Sequence, residues 1–327
     1  MNDTELNVAH ALGNYRVHYR SGSGPELVER TLCLAKSARA VVISDHTVGE
    51  LYADSFVKEL KSREIKATLL SFEPGERSKT LTTVENLYEG CLHFGVDRQT
   101  PIIAYGGGVV GDVAGFVAAT MLRGLPWAQV PTTVLASVDS SVGGKVGVNL
   151  AQGKNLVGAF HAPAWVFIDT MHLASLDVQQ RRSGLAEAIK HGALMDPSLL
   201  ALISKSADHL LRGDSHKLRE VVARAVAAKA TVVSADERET GLRLTLNFGH
   251  TLGHALEAEG AFNQLDHGTA VALGMRFSLA ASRLLCGLST EDATRVNLCL
   301  DRVGLESNWR ELITPETVDL LVRDKKR

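Results

Sequence analysis

The sequence predicts two domains: an α/β N-terminal domain built on a doubly wound parallel sheet, and an all-α C-terminal domain. Three observations predict this fold. Apolar runs alternate with helical periods in the first half, strand signals vanish after about Arg181, and the 327-residue chain exceeds a typical single domain. We place the domains at residues 1–175 and 176–327.

The alternation that predicts the α/β domain begins at about residue 39. Short apolar runs predict buried strands at residues 40–44, 67–72, 101–105 and 127–130. Helical periods lie between or after them, up to residue 63 and at 81–94 and 112–123. This order is typical of parallel βαβ units. In the second half, helical periods cover residues 184–195, 198–211, 217–237, 247–259 and 268–286.

Composition and charge exclude several classes of partner. The formal net charge is −2 with both signs scattered along the chain, which argues against a nucleic acid partner. Residues 1–10 lack the pattern of a secretory signal, and charges interrupt every apolar stretch before it could span a bilayer. We therefore expect a cytoplasmic protein without a membrane partner. Widely spaced cysteines without a CxxC pair favour reduced, mostly buried thiols.

A glycine-rich turn follows the third predicted strand. Gly106, Gly108 and Gly111 in YGGGVVGD satisfy the GxGxxG pattern between a predicted strand and a predicted helix, where backbone amides can hold a pyrophosphate. Ordinary Rossmann domains carry this motif after the first strand and the ribose-binding acid about 20 residues later. Here the best-placed acid is Asp45, upstream. The pattern predicts dinucleotide binding in a variant Rossmann-like topology, although any tight turn also favours glycine.

A second glycine loop spans residues 141–146. It is not a phosphate-binding P-loop, because it lacks the GxxxxGK[ST] spacing and Val146 offers no hydroxyl to magnesium. Two interpretations stay open: a mobile glycine turn that aims Lys145 into a cleft, or a surface turn with a solvated lysine.

Histidines in the second half suggest a metal site. His250 and His254 share one helix face, and Thr251 excludes the HExxH protease pattern. His267 could fold back as a partner, and Glu187, on an apolar helical face, is a candidate carboxylate. The alternative is hydrogen-bonded core histidines. Other histidines in polar or terminal surroundings are predicted to be solvated, among them His18, His93, His209 and His216.

Six segments, taken together, identify a family more specifically than any single motif does. They are GGGVVGDVAGFVAAT, RGLPWAQVPTTVLASVDSSVGGK, GKNLVGAF, GLAEAIKHG, GLRLTLNFGHTLGHALE and DHGTAVALGM. Their order and content resemble the 3-dehydroquinate synthase family from about Asp45 to Lys326. The resemblance implies a carbon–oxygen lyase that requires NAD and a divalent metal, zinc or cobalt. It implies conversion of 3-deoxy-D-arabino-heptulosonate 7-phosphate to 3-dehydroquinate and phosphate, in the shikimate pathway to chorismate.

The resemblance also implies roles for individual residues. The metal ligands would be Glu187, His250 and His267, with His254 as a catalytic neighbour. NAD would be held by the following residues: Asp45, Gly75, Glu76, Lys79, Gly107, Gly108, Val109, Gly111, Asp112, Thr132, Thr133, Asp139, Lys145, Lys154, Asn155 and Ser175. The substrate's phosphate and carboxylate would meet Arg123, Lys145, Asn155, Lys190, Lys229, Arg243, Asn247 and Lys325.

The implied reaction oxidises a secondary alcohol with NAD, eliminates phosphate, reduces the ketone again and closes the ring by an intramolecular aldol step. NAD is therefore not consumed. Judged without the resemblance, Lys229 is a solvated helical lysine and Arg243 forms a surface ion pair with Glu237 or Glu239.

Three alternative functions remain. Another sugar phosphate cyclase would make a cyclitol or an aminated product from a related sugar phosphate. A metal-dependent alcohol dehydrogenase would accumulate NADH, and a silent NAD- or metal-binding regulator would release no phosphate. For assembly we expect a homodimer.

Overall fold

The computed structural model describes residues 5–9, 13–237, 239–259, 265–305 and 313–323. The chain divides into two compact units, Met1–His172 and Leu173–Arg327. The first unit is α/β and the second is helical, so the predicted fold class is confirmed.

The first unit is built on a mostly parallel sheet. Its described strands are β1 (Glu5–Val8), β2 (Tyr15–Arg20), β3 (Arg39–Asp45), β4 (Lys66–Phe72), β5 (Ile102–Gly106), β6 (Trp127–Pro131), β7 (Lys145–Leu150), β8 (Gly153–Phe160) and β9 (Trp165–Asp169). The main sheet has the order β1-β2-β9-β6-β5-β3-β4, and β7 and β8 form a separate antiparallel pair. Strand β1 runs antiparallel to β2, and the other main-sheet pairs are parallel.

Helices cover both faces of this sheet. They are α1 (Gly24–Leu34), α2 (His46–Val48), which continues through a π-helical turn at Gly49–Ala53 into α3 (Asp54–Ser62), α4 (Leu81–Phe94) and α5 (Gly108–Thr120). Val41 of β3 packs in one core with residues of α4 and α5, whereas the next residue, Val42, packs in another core with residues of α1 and α3. Because both faces are buried, the central strands are continuous apolar runs, which explains their clear signal in the sequence.

Two parts of the first unit differ from the sequence prediction. Strands β1 and β2 precede the first predicted strand, so the GxGxxG turn follows β5. The loop at residues 141–146 is a turn with positive φ at Gly143 and Gly144, and Lys145 then begins β7, where it pairs with Phe160. Neither open interpretation of the loop included this hairpin.

Two predictions about burial were wrong in part. His18 is 1% exposed in β2 instead of solvated, and burial together with the nearby charge of Arg30 lowers its pKa to about 4. The cysteines are free, but Cys33 and Cys286 are exposed and only Cys91 and Cys299 are buried.

The second unit is helical throughout its described residues. After α6 (Thr170–Ala174), at the division between the units, it contains α7 (Val178–Met195), α8 (Pro197–Arg212), α9 (Ser215–Ala235), a 3₁₀ helix (Leu242–Asn247), α10 (His250–Glu259), α11 (His267–Leu285), α12 (Thr290–Arg302) and α13 (Pro315–Arg323). Side-chain N-caps at Asp177, Asp214 and Asp266 begin α7, α9 and α11. No helix in the described ranges is long and apolar enough to cross a bilayer.

Glycines let α7, α10 and α11 approach one another closely. A Cβ added to Gly268 would lie 2.2 Å from the Ser183 carbonyl oxygen of α7, and one added to Gly274 would lie 1.7 Å from the Gly249 carbonyl oxygen. Gly249 itself has a φ of +83°, which favours glycine. These contacts lie beside chemically important residues: Ser183 is one turn before Glu187, Gly268 follows His267, and Gly249 precedes His250.

We expect Gly274→Ala to destabilise the second unit. Its methyl group has no room against the Gly249 carbonyl, so α10 and α11 must separate, at a cost of about 1–3 kcal/mol or more. Thermal unfolding followed by circular dichroism should show a transition several degrees lower. Gly24→Ala in α1 is the matched control, because its added Cβ meets nothing within 4 Å. Identical unfolding of the two variants would contradict the packing argument.

Candidate functional site

Three side chains of the second unit converge on one point. Glu187 Oε1 lies 3.5 Å from His250 Nε2 and 3.3 Å from His267 Nε2. One ligand atom from each residue lies within 4.8 Å of the others, and Glu187 is fully buried. The three residues come from α7, α10 and α11, the helices held together at the glycine contacts.

The spacing of these atoms fits a divalent cation. A four-coordinate cation about 2.0–2.2 Å from each ligand atom places neighbouring ligand atoms about 3.3–3.6 Å apart. The two separations in the structure, 3.5 and 3.3 Å, match that edge length. Two imidazoles and one carboxylate suit zinc or cobalt, and three protein ligands leave a coordination position for a substrate oxygen.

The second nitrogen of each histidine faces an acceptor. His267 Nδ1 lies 3.4 Å from Glu257 Oε2, and His250 Nδ1 lies 3.3 Å from the Phe248 carbonyl oxygen. A proton on each Nδ1 satisfies these acceptors and leaves the Nε2 lone pair directed toward Glu187. Glu257 was not among the residues predicted from the sequence, because nothing in its local pattern distinguishes it from a surface helix glutamate.

Glu187, His250 and His267 have different charged neighbours. The Lys190 ammonium contacts Glu187 Oε2, so the two carboxylate oxygens are divided between a lysine and the histidines. Burial, and then the charge of Lys190, lowers the pKa of His250 to about 3, which keeps this imidazole neutral. At His267, burial favours the neutral ring, but hydrogen bonds to Glu187 and Glu257 raise the pKa to about 10. A proton and a divalent cation therefore compete for His267.

His254 belongs to the same cluster of rings. Its ring centroid lies 5.2 Å from that of His250 and 6.5 Å from that of His267. Residue spacing alone left the choice among these histidines open, and the family resemblance implied His250 and His267 as ligands with His254 as a neighbour. The structure groups His250 and His267 with Glu187 and places His254 beside them.

Three basic side chains of the second unit that were predicted to bind the substrate are buried. Lys190 is 1%, Lys229 6% and Arg243 3% exposed, so the interpretations of Lys229 as solvated and of Arg243 as a surface residue were wrong. The Arg243 guanidinium donates to the backbone carbonyl of Glu237 at 2.5 Å. Buried cations interact strongly with anions because the surrounding medium is less polarisable than water.

Backbone hydrogen bonds to Asp236 fix the loop that leads to Arg243. Asp236 accepts backbone hydrogen bonds from Thr240 (3.0 Å), Gly241 (2.7 Å) and Arg243 (2.9 Å), and these bonds lower its pKa to about 2. Within the loop, Glu239 has a φ of +60° and its Oε1 accepts a 3.1 Å hydrogen bond from Asn247 Nδ2. Neither Asp236 nor Glu239 was predicted as part of the site.

The glycine turn of the first unit begins α5. Gly107 is its N-cap, and residues Gly107 to Val109 are half-buried, so the N-terminus of the helix is partly exposed. A Cβ at Gly108 would lie 3.1 Å from Ser140 Oγ, and one at Gly111 would lie 3.0 Å from Gln129 Oε1. Close packing thus accounts for part of the motif, and the accessible helix N-terminus favours an anion.

A polar network links the β7–β8 hairpin to α5 and to the 3₁₀ helix Glu76–Ser78. The buried Lys79 ammonium donates to Asp112 Oδ2 at 2.5 Å and to Asn155 Oδ1. Asn149 donates to Glu76 Oε1 at 2.7 Å and accepts from the Asn155 amide at 2.8 Å. Burial raises the pKa of Asp112 although Lys79 opposes this. The network joins four residues predicted from the sequence with Asn149, which was not predicted.

Other predicted residues of the first unit lie at turns and helix starts. Asp45 caps α2 by accepting from the Val48 amide at 2.9 Å, and Gly75, with a φ of +101°, precedes Glu76. Thr132 is buried, and its Oγ1 has no hydrogen-bond partner among the described residues. Thr133 Oγ1 accepts from the Ala136 amide at 3.1 Å, and Asp139 lies in the π-helical turn that starts at Ala136.

The remaining predicted residues are less enclosed. Arg123 is exposed, with a φ of +67° in a 3₁₀ turn, and Lys145 is exposed at the start of β7. Lys154 is half-buried in β8, and Ser175 is exposed just after α6. Lys325 lies outside the described residues.

Two family models together match most of the chain. The family model for the 3-dehydroquinate synthase N-terminal domain matches residues 69–183, and that for the C-terminal domain matches residues 184–327. A 3-dehydroquinate synthase of Thermoanaerobacter pseudethanolicus is 39% identical over 313 residues, which cover 96% of this chain and 88% of the relative.

Two solved structures resemble the chain as a whole. One is a 2-deoxy-scyllo-inosose synthase complexed with carbaglucose-6-phosphate, NAD+ and Co2+, with a TM-score of 0.88, 29% identity and coverage of 99% of this chain and 88% of that one. The other is a 2-epi-5-epi-valiolone synthase from Streptomyces hygroscopicus subsp. jinggangensis 5008 with NAD+ and Zn2+ bound. Its TM-score is 0.84, with 29% identity and coverage of 96% of this chain and 86% of that one.

We expect Asp236→Ala to open the loop that carries Arg243. Three backbone amides lose their acceptor, so hydrogen exchange at Gly241 and Arg243 should accelerate at least about ten-fold. Asp208→Ala, at an exposed position of α8, should leave these amides unchanged. Unaltered exchange in Asp236→Ala would refute the assignment.

The hydrogen bonds to Asp236 should persist at mildly acidic pH. The pKa of Asp236 falls from 3.8 to about 2, so its stabilising contribution is complete above pH 3.8 and is lost as the pH falls through about 2. After correction for intrinsic exchange, protection of the Gly241 amide should be the same at pH 7 and pH 5. Loss of protection between these values would contradict the assignment of Asp236 as acceptor.

Proposed function

The chain belongs to the 3-dehydroquinate synthase family, and we propose that it converts 3-deoxy-D-arabino-heptulosonate 7-phosphate to 3-dehydroquinate and phosphate. The observation that carries the proposal is the convergence of Glu187, His250 and His267 beside the buried Lys190. Identity favours this activity, since the dehydroquinate synthase relative is 39% identical and the two solved cyclases with other names are 29% identical.

The proposed cofactors are NAD and a divalent cation, zinc or cobalt. Glu187, His250 and His267 would hold the cation. When bound, the cation supplies a Lewis acid that lowers the pKa of a substrate hydroxyl, and NAD accepts a hydride and later returns it. The fit of the ligand spacing supports the first assignment, and the accessible N-terminus of α5 supports the second.

For NAD we propose binding by the first unit and one serine beyond it. Gly107, Gly108 and Val109 would hold the pyrophosphate with their amides, and Asp45 would bind a ribose. The hydroxyl of Thr132 is buried and has no partner among the described residues, which supports a contact with the cofactor. Further contacts are assigned to Gly75, Glu76, Lys79, Gly111, Asp112, Thr133, Asp139, Lys145, Lys154, Asn155 and Ser175.

For the substrate we propose a set of cations that hold the phosphate and the carboxylate. Lys190, Lys229 and Arg243 are the buried members, and each charge-assisted hydrogen bond would contribute about 1.5–3 kcal/mol. Arg123, Lys145, Asn155, Asn247 and Lys325 complete the proposed set. Firm binding of the phosphate orients it for elimination.

Two further residues are assigned to proton transfer and polarisation at the substrate. His254 lies beside His250, and Asn247 is oriented by Glu239. We propose that His254 relays protons at the reacting oxygens and that Asn247 polarises them. The carboxylate of Glu239 would then act through Asn247 as a positioning residue.

A homodimer in the cytoplasm completes the proposal. Size-exclusion chromatography with light scattering tests the assembly, and a mass near twice 35.1 kDa is the expected result.

The purified protein loaded with zinc or cobalt and NAD should release phosphate from the heptulosonate phosphate without net NADH. A chelator should abolish the activity, and either metal should restore it. Phosphate release and absorbance at the NADH band are measured in the same sample.

Two control substrates separate the alternatives. Turnover of sedoheptulose 7-phosphate or glucose 6-phosphate, with the heptulosonate phosphate ignored, would assign the chain to another cyclase activity. Accumulation of NADH would indicate an alcohol dehydrogenase, and metal and NAD binding without turnover would indicate a silent binding protein.

We expect Lys229→Met to lower kcat/KM at least about ten-fold, because it removes one charge-assisted contact to the substrate anion. Lys217→Met is the matched control on the same helix, since the Lys217 side chain is 35% exposed and pairs with Glu220. The control should retain activity and fold. Equal activities of the two variants would remove Lys229 from the proposed set.

A further inference from the structure

Glu257 of α10 is a buried carboxylate that the proposed reaction does not use. It is 4% exposed, and its Oε2 lies 3.4 Å from His267 Nδ1. On the opposite edge of the same ring, His267 Nε2 lies 3.3 Å from Glu187 Oε1. The imidazole of His267 is therefore held between two carboxylates, one on each nitrogen.

The two carboxylates differ in their surroundings. Glu187 shares its second oxygen with the Lys190 ammonium, which offsets its negative charge. Glu257 faces the nitrogen of His267 that points away from the converging ligand atoms. A carboxylate in this position orients the ring, holds the proton on Nδ1 and makes Nε2 a better electron donor.

We propose that Glu257 is a positioning residue that strengthens cation binding through His267. The inference rests on the proposed cation site of Glu187, His250 and His267. Glu257 faces Nδ1 of His267, whereas Nε2 of the same ring faces Glu187. It therefore acts on the cation through His267, by fixing the orientation of the ring and by adding negative charge near a dication.

The second histidine provides an internal comparison. His250 Nδ1 faces the neutral Phe248 carbonyl at 3.3 Å, so its ring is oriented without an added charge. The two histidines thus differ in the charge of their outer partner. Glu257 therefore has the larger effect on cation affinity, because it adds a charge to the histidine that it orients.

The test is zinc affinity of the full-length protein, measured at equilibrium by competition with a chromophoric chelator. Glu257→Gln keeps the size and an acceptor oxygen but removes the charge, so zinc should bind about 10–100-fold more weakly with one ion per chain retained. Glu291→Gln, at a side chain 85% exposed on α12, is the matched control and should bind like the wild type.

A second variant separates positioning from folding. Glu257→Asp keeps the charge, so it should retain more affinity than Glu257→Gln, and the absorption spectrum of bound Co2+ should change in Glu257→Gln. Equal zinc affinity of Glu257→Gln and wild type would overturn the inference alone, as would equal losses in both variants. Absence of stoichiometric zinc in the wild type would instead overturn the cation site and this inference with it.

Discussion

The close approach of α7, α10 and α11 is the constraint on which the candidate site depends. Helices with side chains at their contacts stand farther apart, whereas Gly268 and Gly274 place backbone directly against backbone. The residues beside these contacts are then close enough for one carboxylate oxygen to lie 3.3–3.5 Å from two imidazole nitrogens. Close helix packing at these glycines thus sets the distances between the metal-ligand atoms.

Neighbouring charges then give Glu187, His250 and His267 different properties. Lys190 occupies one oxygen of Glu187, which directs the other toward the histidines. Burial keeps His250 neutral, while the carboxylates around His267 favour a positive charge at that ring. The buried carboxylates around His267 favour a positive charge there, and a divalent cation can supply that charge as well as a proton can.

Much of this architecture follows from patterns that are local in sequence. The central strands read as apolar runs because both their faces are covered, and the helices of the second unit follow their hydrophobic period. Strand β2 escaped prediction because arginines and a histidine alternate with its apolar residues, so it lacks the continuous apolar run of the central strands. The β7–β8 hairpin escaped prediction because glycines, asparagines and lysines interrupt its apolar residues. Glu257 and Asp236 could not be found at all, since their roles depend on hydrogen bonds that only the folded chain forms.

The central claim is that Glu187, His250 and His267 hold a single divalent cation. Crystals of the protein grown with Co2+ or Zn2+ test it directly through anomalous diffraction at the metal edge. One strong peak per chain is expected, with Glu187 Oε1 and the Nε2 atoms of both histidines about 2.0–2.2 Å away. A peak at a different position, or no peak at this position at saturating metal, would contradict the proposed cation site.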